Sequence, residues 1–281
     1  MPDQDYSAAG AAGRTTSNTK VAIITGASSG IGAATSRLLA AEGFWVVTAA
    51  RRIEELEKQA EEIRAKGGTV LPVRVDLGRL EEIESLVSKA LSHFGQIDIL
   101  FNNAGFGHMN WLEDLDPEQD IEAQLRVNLL GVILASRAVL PHMIGCRSGH
   151  IIQMASMASF VATPTYTIYA ASKFGVRGFS QALRRETAAW GIHVSTLYAG
   201  TVRSEFKQHM GYVRKTGLTT PGRLTLSPEQ VAAAVLKLIR RPRAELVIPW
   251  PMRFAALGNS LFPGLLDRLI TERFVKPERG L

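Results

Sequence analysis

Short apolar runs alternate with segments of helical period along most of this chain, and no other feature restricts its fold as much. The first runs cover residues 21–25 and 44–50, and the apolar residues after each recur every three or four positions. The same order continues with apolar runs at 70–75, 97–101, 150–154, 193–197 and 244–249. Strands that are apolar on both faces are typical of a parallel sheet covered by helices on each side. The pattern predicts a single doubly wound α/β domain with a parallel sheet of about seven strands.

Composition divides the 281 residues into three parts. Residues 1–19 are rich in Ala, Gly, Ser and Thr, so we expect a disordered N-terminal arm there. Residues 20–250 carry the predicted strands and helices of the catalytic domain. Residues 251–281 form an extension that we expect to pack on the domain or on a neighbouring subunit. Contact with a membrane surface is the alternative, but Pro263-Gly264 interrupts the helical pattern which that would need.

Charge and cysteine usage argue against several classes of protein. The net charge is +6, yet Lys and Arg are interleaved with Glu, which does not favour nucleic-acid binding. The six histidines and the single Cys146 show no metal-ligand spacing, so we expect no metal. One cysteine cannot form an internal disulfide and the N-terminus lacks the layout of a secretory signal. We therefore expect a cytoplasmic protein.

A glycine-rich loop, Thr-Gly-Ala-Ser-Ser-Gly-Ile-Gly from Thr25, follows the first predicted strand. It opens the first predicted helix, whose N–H groups could receive a pyrophosphate, and glycine lets a ligand approach the backbone closely. A glycine-rich turn without a ligand is the alternative. The residues predicted to contact a dinucleotide here are Gly26, Ser28, Ser29, Gly30, Ile31 and Gly32.

The second predicted strand ends in Ala-Ala followed by Arg51 and Arg52, where a dinucleotide fold usually places an acidic residue for the adenosine ribose. Arginine can bind a phosphate through two parallel hydrogen bonds. Arg51 and Arg52 therefore favour the 2′-phosphate of NADP(H) over the hydroxyl of NAD(H). Alternatively, both begin a solvated helix and pair with Glu54 and Glu55.

Two more motifs follow the glycine loop in order. They are Asn-Asn-Ala-Gly at residues 102–105, after the fourth predicted strand, and Tyr-Ala-Ala-Ser-Lys at residues 169–173. Together the three motifs resemble the classical short-chain dehydrogenase/reductase family, and the resemblance covers about residues 20–249. It implies a Rossmann-type domain, a nicotinamide cofactor and a catalytic Ser, Tyr and Lys. Because family members usually assemble as dimers or tetramers, it also implies a homodimer or homotetramer.

Tyr169 and Lys173 stand four positions apart in a predicted helix and therefore share a face. An ammonium beside a phenolate stabilises it, so we expect Lys173 to lower the pKa of Tyr169 from about 10 toward neutral pH. Tyr169 could then donate or accept a proton, and both side chains would also contact the cofactor. Tyr166 has Ala170 at the corresponding position, so it either lines the pocket or packs in the domain.

The resemblance adds two catalytic candidates. Ser156 precedes Tyr169 by thirteen residues, the family's spacing for the serine that hydrogen-bonds the substrate oxygen, whereas Ser159 is expected to be structural. Asn128 lies where the family carries a helix asparagine that holds a water in a proton relay toward the lysine. A simple buried hydrogen-bonding group is the alternative for Asn128.

Further cofactor contacts are implied by position. Asp76 and Leu77 resemble the pair that borders adenine, and residues 102–105 resemble the segment along the adenosine ribose and the central sheet, with contacts from Asn103, Ala104 and Gly105. After the sixth predicted strand the family usually shows Pro-Gly, whereas this chain has Ala-Gly. Without the fixed φ of proline we expect a looser loop there, with contacts from Gly200, Thr201 and Val202.

Apolar and aromatic residues cluster in the predicted loops near the reacting centre. Those assigned to the substrate pocket are Phe106, Met109, Phe160, Tyr166, Phe206 and Met210, with His108, Trp111 and Tyr212 as further candidates. Such a pocket favours an apolar ketone or a lipid-like or steroid-like alcohol over a sugar or an acid. Ordinary packing of loop aromatics is the alternative.

The residues together predict an NADP(H)-dependent oxidoreductase that transfers hydride between nicotinamide and a carbonyl or secondary alcohol, with Tyr169 as acid and base. A catalytically silent NADP-binding sensor or scaffold is the alternative, and intact Ser156, Tyr169 and Lys173 oppose it. An epimerase or dehydratase of the same fold is a third hypothesis. Arg51 and the apolar loops oppose that one.

Overall fold

The computed structural model describes residues 19–203, 210–211, 215–216 and 222–281. The predictions made for residues 1–18, for Phe206 and for Tyr212 lie outside the described residues.

Seven parallel strands form one sheet. Their bounds are Val21–Thr25 (β1), Trp45–Ala50 (β2), Val70–Arg74 (β3), Ile99–Asn102 (β4), Gly149–Ser156 (β5), Ile192–Ala199 (β6) and Glu245–Ile248 (β7). The order across the sheet is β3-β2-β1-β4-β5-β6-β7, and every neighbouring pair is parallel. This confirms the predicted doubly wound α/β fold.

Helices connect the strands and cover both faces of the sheet. They span Gly30–Ala41 (α1), Ile53–Ala65 (α2), Leu80–Phe94 (α3), Ala123–Leu125 (α4), Gly131–Cys146 (α5), Thr167–Thr187 (α6), Pro228–Arg240 (α7), Met252–Leu261 (α8), Pro263–Ile270 (α9) and Lys276–Arg279 (α10). Turns of π-helix at Pro117–Glu122, Arg126–Leu130 and Thr271–Val275 join neighbouring helices. Short 3₁₀ turns occupy Leu112–Asp114, Met157–Ser159, Ala188–Trp190 and Gly222–Leu224.

Alternate residues of each strand enter two separate hydrophobic cores. In β1, Ala22 and Ile24 belong to the core that α1, α2 and α7 cover, while Val21 and Ile23 belong to the core under α3, α5 and α6. All five residues of β1 are buried. Apolar residues on both faces of a central strand are what this two-sided packing requires.

One helical run among the described residues, Pro117–Cys146, is long and apolar enough to cross a membrane. In the fold it is the connection from β4 to β5, and Ala135, Val139 and Met143 in it pack in the core. A core helix of a doubly wound domain can be equally long and apolar, so the property is weak evidence for a membrane.

Helices α8 to α10 pack against the rest of the chain. The Asn259 side chain donates to the backbone oxygen of Phe160 at 2.9 Å, and both Phe274 and Glu278 are buried. Pro263 is the first residue of α9, a position at which a helix tolerates proline, and α8 ends before it at Leu261. The extension therefore contributes to the same body as the sheet.

Candidate active site

The carboxyl ends of the strands open into one cavity of about 810 Å³. The cavity lies at the point where the strand order reverses: β2 and β3 are on one side of β1, and β4 is on the other. Doubly wound sheets bind their ligands at this position. The predicted cofactor residues that line it are Gly26, Ser28, Ser29, Gly30, Ile31, Arg51, Arg52, Asp76, Leu77, Asn103, Ala104, Gly105, Gly200, Thr201 and Val202. Ser156, Tyr169 and Lys173 line the same cavity.

Two glycines allow the loop after β1 to pack closely. Gly26 has a φ of +65°, and a Cβ on it would lie 2.7 Å from the Ala104 Cα. A Cβ on Gly32 would lie 2.2 Å from the carbonyl oxygen of Gly26. Gly32 is buried and packs against the Gly26 backbone, and its predicted contact with a cofactor stays a prediction.

The N-terminus of α1 fits an anionic group. Among the described residues no side chain caps it, and its first turn carries no acidic residue. The unsatisfied N–H groups of a helix N-terminus attract phosphate, and Ser28, Ser29 and Gly30 place this one at the cavity. The residues present therefore fit the pyrophosphate of a dinucleotide.

Arg51 and Arg52 lie exposed at the end of β2, on the cavity wall. Arg52 reaches back to the glycine loop, with Nε and Nη2 each 3.2 Å from the Ser28 Oγ. Arg51 makes no hydrogen bond or ion pair with another described residue, and Glu55 pairs instead with Lys58 at 3.3 Å. The alternative in which Arg51 pairs with Glu55 is not what the structure shows.

Asn102 and Asn103 are neighbours with different roles. Asn102 is buried, and its Nδ2 donates to Gln153 Oε1 at 2.9 Å and to Ser136 Oγ at 3.1 Å. Asn103 lines the cavity, and its Nδ2 donates to the Thr25 carbonyl oxygen at 2.9 Å. Asn102 thus joins the sheet to a helix, while Asn103 holds the glycine loop.

Ser156, Tyr169 and Lys173 come together at the centre of the cavity. Ser156 ends β5, and the other two stand in the first two turns of α6. The hydroxyls of Ser156 and Tyr169 are hydrogen-bonded. Lys173 is 4% exposed, its Nζ donates to the Met154 carbonyl oxygen at 3.1 Å, and it lies 5.6 Å from the centre of the Tyr169 ring.

The expected lowering of the Tyr169 pKa is wrong in direction. Burial raises the pKa of Tyr169 to about 12, Tyr166 adds to the rise, and the hydrogen bond with Ser156 opposes it. Burial also lowers the pKa of Lys173 to about 8. Because the ammonium is directed at the Met154 carbonyl, desolvation has the larger effect on the phenol. Tyr169 therefore keeps its proton at neutral pH.

Asn128 is fully buried in the π-helical turn Arg126–Leu130. Its Nδ2 donates to the Phe106 carbonyl oxygen at 2.7 Å, and its Oδ1 accepts from the Phe106 N–H at 2.9 Å. A Cβ on Gly105 would lie 3.0 Å from that Oδ1 and 3.6 Å from the Lys173 Nζ. The Asn128 amide thus acts as a buried hydrogen-bonding group that holds the backbone beside Lys173.

Ser159 lies just behind this centre. It is fully buried, and its Oγ donates to the Lys173 carbonyl oxygen at 2.9 Å. This contact fixes the 3₁₀ turn after β5 against α6, which is a structural role.

The substrate-pocket predictions divide into two groups. Phe106, Tyr166 and Met210 line the cavity. Met109 is buried, with 3% of its surface exposed. The centre of the Phe160 ring lies 4.5 Å from the centre of the Tyr198 ring and 4.2 Å from the Arg177 Cζ. Neither Met109 nor Phe160 is among the residues that line the cavity.

Several lining residues gave no signal in the sequence. They are Met157, Val161, Thr163, Met252 and Ala255. Met252 and Ala255 belong to α8, and a Cβ on Gly200 would lie 2.5 Å from the Met252 sulfur. Gly200 therefore admits α8 to the cavity, a contact that no local pattern indicates.

Backbone hydrogen bonds hold the start of the loop after β6. The Gly200 N–H donates to the Ile248 oxygen at 2.8 Å, and the Leu226 N–H donates to the Thr201 oxygen at 2.8 Å. The Arg203 N–H donates to the Leu226 carbonyl oxygen at 2.9 Å. These backbone hydrogen bonds restrain residues 200–203, and the looser loop stays a prediction.

A doubly wound sheet with a glycine-lined cleft and a Ser, Tyr and Lys set at its centre is the arrangement of a dinucleotide-dependent oxidoreductase. The family model for short chain dehydrogenases matches residues 20–212. The chain belongs to this family and is one of its oxidoreductases, which confirms the resemblance seen in the sequence.

Three similar proteins illustrate the relationship. An uncharacterized oxidoreductase of Listeria monocytogenes is 36% identical over 227 residues, which cover 79% of this chain and 91% of the relative. An alcohol dehydrogenase of the archaeon Thermococcus sibiricus, complexed with 5-hydroxy-NADP, superimposes with a TM-score of 0.73 at 30% identity, covering 82% of this chain and 96% of that one. A short chain dehydrogenase/reductase of Burkholderia phymatum in complex with NAD gives a TM-score of 0.79 at 26% identity, covering 88% and 95%.

Proposed function

We propose that this oxidoreductase uses NADP(H) to transfer hydride between the nicotinamide and an apolar carbonyl compound or secondary alcohol. The observation that carries the proposal is the meeting of the Ser156 and Tyr169 hydroxyls, with Lys173 behind them, inside the cavity that the glycine loop enters. A ligand that spans the cavity from the loop would end beside these hydroxyls.

The proton chemistry suits reduction. When bound, the nicotinamide supplies the hydride for the carbonyl carbon. Tyr169, with a pKa of about 12, holds the proton that the carbonyl oxygen takes as its C–O double bond becomes single. Ser156 can hold that oxygen through its hydroxyl. Lys173 lies close enough to the phenol to stabilise the phenolate that forms. Alcohol oxidation would use the same groups in reverse.

Preference for NADP(H) over NAD(H) is supported by Arg51. It stands exposed on the cavity wall at the end of β2, where a guanidinium can meet the 2′-phosphate. The net charge of +6 would also steer a phosphorylated cofactor toward the protein. The similar structures include one with an NADP derivative and one with NAD, so the proposed preference is argued from Arg51 and not from these neighbours.

An apolar substrate is supported by the wall beside the Tyr169 hydroxyl. Met157, Val161, Met210, Met252 and Ala255 line it together with Phe106. Hydroxyl groups of Ser156, Tyr169, Tyr166 and Thr163 line the same cavity. A few polar groups in an apolar wall would orient one oxygen and bury a hydrocarbon body.

We further propose a cytoplasmic homodimer or homotetramer. Leu130 and Phe174 are 41% and 42% exposed on neighbouring helical turns. Large apolar side chains exposed together are suited to a subunit interface.

The first test is fluorescence titration with NADPH and NADH, followed by loss of nicotinamide absorbance with acetophenone, 2-decanone and decanal. We expect selective binding of NADPH and turnover that Tyr169→Phe abolishes while its NADPH affinity stays unchanged. Tyr166→Phe is the matched control and should keep most of the activity. Binding without turnover would support the sensor alternative, and no binding of either cofactor would refute the proposal.

A further inference from the structure

The last turn of the described chain holds a segment that follows β6. Glu278 in α10 is 2% exposed. Its carboxylate accepts hydrogen bonds from the Lys215 N–H at 2.9 Å, the Thr216 N–H at 2.8 Å and the Thr216 hydroxyl at 2.5 Å. A buried carboxylate with three donors is a strong anchor, because each charged hydrogen bond is costly to lose.

The next residue holds a different segment, the one that follows β4. The Arg279 guanidinium lies 3.8 Å above the centre of the Trp111 ring, and its Nη2 is 2.7 Å from Glu113 Oε1. Stacking and an ion pair together orient the planar group more narrowly than either contact alone.

The two anchored segments also contact each other at the cavity. The Met109 N–H donates to the Met210 carbonyl oxygen at 2.8 Å. A Cβ on Gly211 would lie 2.2 Å from the His108 ring, so these stretches pack tightly. Phe106 and Met210, one from each stretch, line the cavity. We call residues 106–113 together with 210–211 and 215–216 the substrate-side wall.

We propose that Glu278 and Arg279 are positioning residues that hold the substrate-side wall and thereby set the KM of the carbonyl substrate. Neither side chain lines the cavity, so both act through the residues they hold. Three contacts close a ring: α10 to residues 215–216, α10 to residues 111–113, and Met109 to Met210. Without α10, residues 111–113 and 215–216 would lose these anchors, while residues 106 and 108 would still be held by Asn128 and Gln124. The effect on KM rests on the proposed function, whereas the effect on the wall does not.

The test compares Glu278→Gln with Glu272→Gln in the full-length protein. Glu272 is the matched control, because it lies six residues earlier, is exposed and pairs with the exposed Lys276 at 2.8 Å. In Glu278→Gln, the new amide would present an NH₂ group to donors that now meet a carboxylate oxygen. Hydrogen exchange of peptides covering residues 106–115 and 210–222 reports the wall, and it needs neither cofactor nor turnover.

We expect Glu278→Gln to raise exchange in both peptides and to raise KM for the best ketone or aldehyde of the panel about tenfold. The values of kcat and of the NADPH Kd should change less than about twofold, because the cofactor half of the cavity is untouched. Glu272→Gln should behave as wild type. Arg279→Ala should raise exchange mainly in the 106–115 peptide, and it serves as the second variant if Glu278→Gln fails to fold.

Folded variants with unchanged exchange would overturn the proposal, and so would raised exchange with an unchanged KM. A fall in the melting temperature alone, with KM intact, would show that α10 has only a structural role. If the wild type turns over none of the carbonyl probes, the proposed function fails, and the exchange data still decide whether Glu278 and Arg279 hold the wall.

Discussion

His150 in β5 offers a stability prediction whose size follows from its burial. The side chain is 6% exposed, and its Nε2 lies 2.8 Å from the Ser195 Oγ. Burial, with smaller contributions from nearby His193 and Lys20, lowers the pKa of His150 to about 3. The folded protein therefore keeps this imidazole neutral over the range in which an unfolded histidine, with a pKa of about 6.5, gains a proton.

Proton linkage gives the direction in which stability changes with pH. Between about pH 6.5 and 3 the unfolded state binds one more proton than the folded state, so stability falls as the pH falls. At about pH 5 this one residue should cost about 2 kcal/mol of the free energy of unfolding relative to about pH 7.5. That figure barely depends on whether the folded pKa is nearer 3 or 4, because either value leaves the buried ring mostly neutral at pH 5.

The perturbation is His150→Gln, which can still hydrogen-bond Ser195 but does not titrate. Urea unfolding at both pH values measures the free energy of unfolding of each protein. We expect the wild type to lose about 2 kcal/mol more than the variant between the two pH values. His93→Gln, at an exposed position of α3, is the control and should keep the wild-type loss. If the free energy of unfolding falls equally in wild type and His150→Gln between the two pH values, the reasoning is refuted.

Three further outcomes are expected. Arg51→Ala should raise the Kd of NADPH about tenfold and leave that of NADH nearly unchanged. If titration shows equal increases in the Kd of both cofactors, Arg51 does not contact the 2′-phosphate. Gly32→Ala should abolish cofactor binding and lower stability by about 2 kcal/mol, since its Cβ would meet the Gly26 oxygen. Gly178→Ala in α6, where a Cβ meets no atom within 4 Å, is its control, and similar results for both would contradict the packing argument. Ser156→Ala removes the hydroxyl that hydrogen-bonds Tyr169, so kcat for carbonyl reduction should fall at least about tenfold while the Kd of NADPH stays unchanged; an unchanged kcat would mean that Ser156 does not hold the reacting oxygen.

Local chemistry in the sequence determined much of this protein. Apolar runs alternating with helical segments specify a two-sided parallel sheet, because strand and helix periods differ and depend on near neighbours. The glycine loop and the pair Tyr169 and Lys173 are likewise local, since each lies within about two turns of chain. These features were sufficient to predict the family, and they include many of the residues that line the cavity.

Only the tertiary structure decided what depends on distant neighbours. Asn102 and Asn103 are adjacent and chemically identical, yet one is buried against Gln153 and the other holds the glycine loop. Phe160, which was predicted in the pocket, packs against Tyr198. Met252 and Ala255 of α8, which were not predicted there, line the cavity. The pKa of Tyr169 rose because the fold removed water from the phenol and directed the Lys173 ammonium at a backbone carbonyl. Spacing along the chain sets which side chains share a helix face, whereas burial and long-range contacts depend on how the elements pack.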